Sequence, residues 1–294
     1  MRPPRALTSF VSLSFATVAI LAATTAPSSA SLAWDDDPCE SNGGQLAVAP
    51  DMSAAPNPEH PMAYVACGDG SLLYHGAGGR GSNEPIPGVP ADDFVDVVSA
   101  PEHSMYAVTS DGRITTLGPG AVDHGDLYPT TGVVAVEVTD SGNGYWIVTR
   151  FGDAIGFGDA EDLGPAEDTV VDAPIVAFTS DGQGGGWLIT AAGQVVPVNG
   201  ATDHGSVRGR VAAGDRVVGI VGDRESGGFW VVTREGEVIE AGGAPAETEQ
   251  EKCLASPGAE PPFTGAVGDY APGASARLWI YGANGVICGF NPGA

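Results

Sequence analysis

Six aromatic-anchored hairpins recur at spacings of 40–49 residues, each preceded by a β-branched run and each carrying glycine at the same turn position. These three observations predict an all-β fold: a single β-propeller, with six four-stranded blades. The 44 glycines and 23 prolines would otherwise suggest a low-complexity chain. Their periodic placement points to a repeat architecture instead.

The hairpins span 62–76, 104–118, 144–158, 185–199, 228–242 and 277–291, with anchors Tyr64, Tyr106, Trp146, Trp187, Trp230 and Trp279. Their turns hold Asp69-Gly70, Asp111-Gly112, Phe151-Gly152, Ala192-Gly193, Glu235-Gly236 and Asn284-Gly285. Glycine there permits the positive φ of a tight turn. A two-residue turn at Phe151-Gly152 would set Trp146 opposite Phe157 and Val148 opposite Ile155.

The runs 94–100, 133–139, 174–180 and 217–223 are almost continuously apolar, as strands buried on both faces are. They are expected to be the innermost strands, with 44–50 and 264–270 as weaker copies. A glycine-rich polar element follows the hairpins at 76–82, 120–126, 158–164 and 200–206 and is expected to form an outer strand. The fifth copy, 242–248, passes into an insertion running to Phe263, and the sixth is missing. The segment 31–43 is therefore expected to supply the last outer strand and close the ring.

Residues 1–30 differ from the rest. Arg2 and Arg5 precede an uncharged apolar stretch that ends in Ser28-Ser29-Ala30, the layout of a secretory signal peptide. The propeller domain is then 31–294, with no membrane-spanning segment after cleavage and a location in the medium or at the cell envelope. The net charge of −25 becomes −27 once the leader takes two arginines with it. Such a surface repels phosphate backbones, so nucleic acid is not expected as a partner. A monomer binding an unknown protein or glycan is expected.

Four cysteines in an exported chain read as two disulfides. In one arrangement Cys39 pairs with Cys288, tying the chain ends together, and Cys67 pairs with Cys253. In the other, both bridges are local, Cys39–Cys67 and Cys253–Cys288. The ring-closing arrangement is the leading expectation.

Gly144-Tyr145-Trp146 followed by Gly156-Phe157-Gly158-Asp159-Ala160 resembles the Gly-Tyr-Trp repeat propellers of secreted actinobacterial proteins. Gly186-Trp187, Gly205-Ser206 and Phe229-Trp230 match that pattern less fully. The resemblance covers about 45–294 and implies a propeller fold. It implies no catalytic residues, because the propeller of that family has no agreed activity.

Polar motifs are few. Asp123-His124-Gly125 and Asp203-His204-Gly205 share a slot that Asp162-Leu163-Gly164 also fills, so repeat kinship explains them better than a ligand does. Asp140-Ser141-Gly142-Asn143-Gly144 and Ser180-Asp181-Gly182 weakly resemble the aspartate boxes of sialidase propellers, but their spacing is off and they read as turns. Asp35-Asp36-Asp37 and Asp92-Asp93 lack calcium-loop spacing, so no cofactor is expected, Ca²⁺ being the one candidate. Acidic side chains on the inner strands, Asp96, Glu137, Asp223 and Asp269, are the weak ligand candidates. The leading function is a binding module that recognises through its loops. The alternatives are a small propeller enzyme, a calcium-assisted hydrolase or lyase with its site at the channel mouth, and a structural envelope component.

Overall fold

The computed structural model describes residues 39, 45–50, 62–76, 82–163, 173–246, 261–269, 277–282 and 287–290. The leader 1–30, the rest of 31–43 and Cys253 lie outside them, and so does the expected closing strand. No helix occurs among the described residues.

Among the described residues, nineteen strands form six antiparallel sheets. The first holds β1 (Gln45–Pro50), β2 (Met62–Cys67), β3 (Leu72–Gly76) and β4 (Ser82–Pro85). The second holds β5 (Phe94–Ala100), β6 (Ser104–Thr109) and β7 (Ile114–Leu117), and the third β8 (Val133–Val138), β9 (Gly144–Thr149) and β10 (Ala154–Gly158). The fourth holds β11 (Ile175–Ser180), β12 (Gly186–Thr190) and β13 (Val195–Val198). The fifth holds β14 (Val217–Asp223), β15 (Gly228–Thr233) and β16 (Val238–Ala241), and the sixth β17 (Phe263–Asp269), β18 (Arg277–Gly282) and β19 (Ile287–Phe290).

No backbone ladder joins one sheet to the next among the described residues. The sheets meet face to face, and the first strands follow one another in cyclic contact: β1, β5, β8, β11, β14, β17 and back to β1. One apolar cluster fills each junction. Phe94 and Met105 pack against Tyr64 between the first two sheets, and Trp187 and Ile189 against Phe229 between the fourth and fifth. At the last junction, Trp279 and Tyr281 of the sixth sheet pack against Val48, Val65 and Leu73 of the first. Side-chain burial between blades therefore holds the ring, and the area removed from water drives it.

Only the first sheet has a fourth strand among the described residues. In the second and fourth, a polar side chain covers the outer edge instead: Asp126 accepts the Ile114 N–H at 2.8 Å and Ser206 the Val195 N–H at 3.2 Å. The expectation of a fourth strand is corrected for the second to fifth sheets, whose described outer segments form none. Edge amides met by side chains need no further strand.

The hairpin register also differs from expectation. Gly152 N–H bonds to Thr149 C=O and Thr149 N–H to Asp153 C=O, which makes a three-residue loop with Gly152 at φ 94°. Trp146 therefore faces Gly156, not Phe157, and Val148 faces Ala154, not Ile155. Such loops put their left-handed residue third, and glycine suits it. The threonine three places before the glycine fixes the loop. Thr109, Thr149, Thr190 and Thr233 each accept, through the side-chain oxygen, the N–H four residues on.

All six first strands share another irregularity. Their register slips by one residue after the opening position, at Gln45/Ala47, Phe94/Asp96, Val133/Ala135, Ile175/Ala177, Val217/Gly219 and Phe263/Gly265. A bulge increases local twist, which six strands crowded about one axis require.

Candidate functional site: the channel mouth and the groove beside it

The inner strands enclose a channel cavity of about 110 Å³, walled largely by valine, with Val134, Val176 and Val218 at corresponding positions. Asp96 and Glu137 are its carboxylates. Asp96 accepts Val97 N–H at 2.9 Å and Val136 N–H at 3.0 Å, so it ties the second blade to the third. Burial outweighs those two bonds and pushes its carboxyl up to about 7. Glu137 is likewise pushed up to about 7 by burial, against the pull of the Arg224 guanidinium and of its bond from the Ser180 backbone in the fourth blade. Thr179 repeats the device by accepting Gly222 N–H of the fifth blade at 2.9 Å. Tyr281 takes a bond from the Val48 backbone at the junction of the sixth blade with the first, and burial raises its hydroxyl. The inner polar side chains thus act as hooks between neighbouring blades.

Asp223 does not join them. It is buried at the end of β14 and holds its own loop, accepting Glu225 N–H at 3.1 Å and the Ser226 hydroxyl at 2.5 Å. Asp269 ends β17 opposite Arg277. The structure therefore brings together two of the four acidic candidates, and each of those is engaged with backbone amides. No grouping of three or more metal-ligating side chains occurs among the described residues.

The loops from first to second strand, 101–103, 139–143, 181–185 and 224–227, share one face of the ring. Arg224 of the fifth blade pairs there with Asp140 of the third, passing Gly182 of the fourth. That ion pair stands with Glu137 and Pro101 at the channel mouth. Beside it a groove of about 360 Å³ opens between the third and fourth blades. Asp140, Ser141, Asp159, Glu161, Gln183 and Asn199 line it, with Gly182 and Gly184 along one side and Trp146 at its base. Thr139 and Ser141 donate their hydroxyls to the two oxygens of Asp159, at 2.8 and 2.5 Å. The two aspartate-box-like segments read as turns in the sequence are the walls of this groove.

The six anchors are buried, from 0% exposed for Tyr106 to 6% for Trp279. Three tryptophans share one bond: the indole N–H of Trp146, Trp187 and Trp230 reaches the carbonyl fifteen residues on, at Glu161, Thr202 and Pro245. His204 packs on Trp187, Phe229 and Gly242, with Nε2 2.8 Å from the Gly227 carbonyl oxygen. His124 lies likewise over Gly158 and Tyr145. Asp123 and Asp203 each accept the N–H of the glycine two residues on, at 2.8 Å. Both Asp-His-Gly motifs therefore wedge adjacent blades. Asp92 pairs with Arg113 at 2.6 Å, and Asp93 binds the Ser110 hydroxyl.

The cysteines correct the leading expectation. Cys39 is bonded to Cys67, not to Cys288. Cys39 sits in the cluster between the sixth and first blades, against Val65 and Trp279, which brings its sulfur to the end of β2. The Cys39–Cys67 bridge is the one that the local arrangement expects, and Cys288 is disulfide-bonded to a partner other than Cys39. A disulfide fits an oxidising compartment.

No protein-family model matches the chain, and no curated protein does. Solved structures do. A structural-genomics protein of unknown function from Bacteroides thetaiotaomicron aligns with a TM-score of 0.52 at 12% identity, over 85% of this chain and 70% of its own. The WD40 β-propeller domain of Doa1 aligns with a TM-score of 0.52 at 11% identity, over 84% and 78%. At such identity the likeness carries the fold alone: the chain has a β-propeller fold.

Proposed function

We propose that this chain is an exported binding module that recognises its ligand on the face formed by the first-to-second-strand loops. The observation that carries this is the polar groove of about 360 Å³ between the third and fourth blades, set on a rigid ring whose channel is narrow and valine-walled. Recognition residues sit on loops held by a stiff scaffold in many binding folds. The disulfide and the signal-peptide layout support export, and the resemblance to Gly-Tyr-Trp repeat propellers supports a cell-envelope setting. In this reading the six sheets are six blades of one closed ring, with the segment after the leader adding its outer strand to the sixth, and the protein is a monomer. Asp96 and Glu137 are committed to backbone amides, so the reading gives them a structural part and no catalytic one. Capture from envelope extract by the wild-type protein, compared with a Gln183→Trp variant that obstructs the groove, tests this. Equal capture by both proteins would refute it.

A further inference from the structure

We infer that the groove takes a neutral saccharide; this rests on the reading of the groove as the binding site. Its size lies toward the lower end of the ~300–1,000 Å³ typical of small-ligand pockets. It is too small to seat a folded protein surface and large enough for a short stretch of sugar rings.

Two of the three carboxylates in the groove are already engaged. Both oxygens of Asp159 already accept hydroxyl donors from Thr139 and Ser141. Asp140 is paired with Arg224. A bare cation would find Glu161 alone unengaged and would have to break these arrangements to gain a second carboxylate, and an anionic ligand would meet the carboxylates of Asp140, Asp159 and Glu161 together. A neutral ligand avoids both costs.

The groups left over are hydrogen-bonding ones. Gln183 makes no side-chain hydrogen bond among the described residues. Asn199 uses one N–H on the Gly184 carbonyl at 2.7 Å, which leaves an N–H and an acceptor oxygen on the same amide. Glu161 offers a carboxylate with no ion pair among the described residues. Two amides and a carboxylate around one groove offer donors and acceptors side by side, which vicinal hydroxyls satisfy in pairs. Gly184 has open space where a side chain would stand, so a ring can approach the loop backbone directly. Sequence order hides the arrangement, because its parts come from five separate segments of two blades.

An array of neutral, amino and acidic oligosaccharides, followed by calorimetry on the binders, tests the inference. The full chain is compared with Gln183→Ala and Glu161→Ala, exposed changes whose thermal midpoints confirm an intact ring. A neutral oligosaccharide should bind, with affinity lowered about ten-fold by each substitution, the scale of one hydrogen bond. Binding only to charged glycans, or neutral binding that both variants retain, would overturn the inference. Capture of an envelope protein that Gln183→Trp abolishes, with no sugar bound, would also overturn it and leave the groove as the binding site.

Discussion

Replacing Asp96 by Asn should have an effect on stability that changes sign with pH. Asp96 sits in the valine-walled channel with its carboxyl pushed from 3.8 to about 7. The folded state therefore holds its proton more tightly than the unfolded chain does. Stability must rise as pH falls from about 7 toward about 4, and be lost as pH rises through the same window. About three pKa units at ~1.4 kcal/mol each bound the effect near 4 kcal/mol, and the partial exposure of Asp96 to the channel screens part of it, leaving about 2–4 kcal/mol. Asn removes the charge but presents an NH₂ group to one of two N–H donors, Val97 or Val136. The lost bond costs about 1–2 kcal/mol at every pH. At pH 5 the variant should be less stable than wild type, and at pH 8 equal to it or more stable. Urea denaturation at both values reads the difference directly. The general charge repulsion of so acidic a chain cancels in the comparison, while Glu137, which the Asp96 charge helps to raise, titrates somewhat lower in the variant and adds to the variant's advantage at pH 8. A variant equally destabilised at pH 5 and pH 8, or a wild-type protein more stable at pH 8, would refute the reasoning.

Trp187→Ala should cost roughly 3–5 kcal/mol, because it empties the seam between the fourth and fifth blades and strands the Thr202 carbonyl; an unchanged denaturation midpoint would show that the seam does not hold the ring. Glu102→Asn should stabilise by about 0.5–1 kcal/mol, since Glu102 and His103 hold φ of 60° and 55° where the matching loops carry Gly142, Gly182 and Gly227. A thermal melt reads that gain. Paired Cys39→Ser and Cys67→Ser changes should cost roughly 3–4 kcal/mol, the value for a bridge across 28 residues in the chain-entropy description, and a urea titration of the double variant checks it. EDTA should leave the melting temperature where it is, because Asp92 and Asp93 are already engaged by Arg113 and Ser110; a fall reversed by Ca²⁺ would overturn this.

The part of the fold that is legible in the sequence obeys short-range rules. Trp146 and Gly152 announce a hairpin because each does one local job, filling a seam and turning the chain. The register escaped because a glycine marks a left-handed residue without stating whether it is the second or third in its loop. The repeated threonine, as in Val148-Thr149-Arg150-Phe151-Gly152, was the available signal. The bulges were invisible because apolar neighbours continue through them: Val133-Val134 and Val217-Val218 read as uninterrupted strand. The sequence left the cysteines between two arrangements, with the local Cys39–Cys67 bridge second, because pairing depends on which strands meet at the junction of the last sheet with the first. The groove escaped for a related reason. Asp140, Asp159, Gln183 and Asn199 become neighbours only after two blades have packed.

The slipped register at the start of every inner strand gives this protein a grammar of length as well as of letters. Val95 stands between Phe94 and Asp96 with no partner of its own in the register with β6, so deleting it would leave Asp96 against Val108 but remove the bulge and the twist it adds at the head of the strand. Exchanging Val95 for Ile would only repaint one tile of the wall. A blade moved from one position in the ring to another would thus keep its twist only if its odd residue travelled with it.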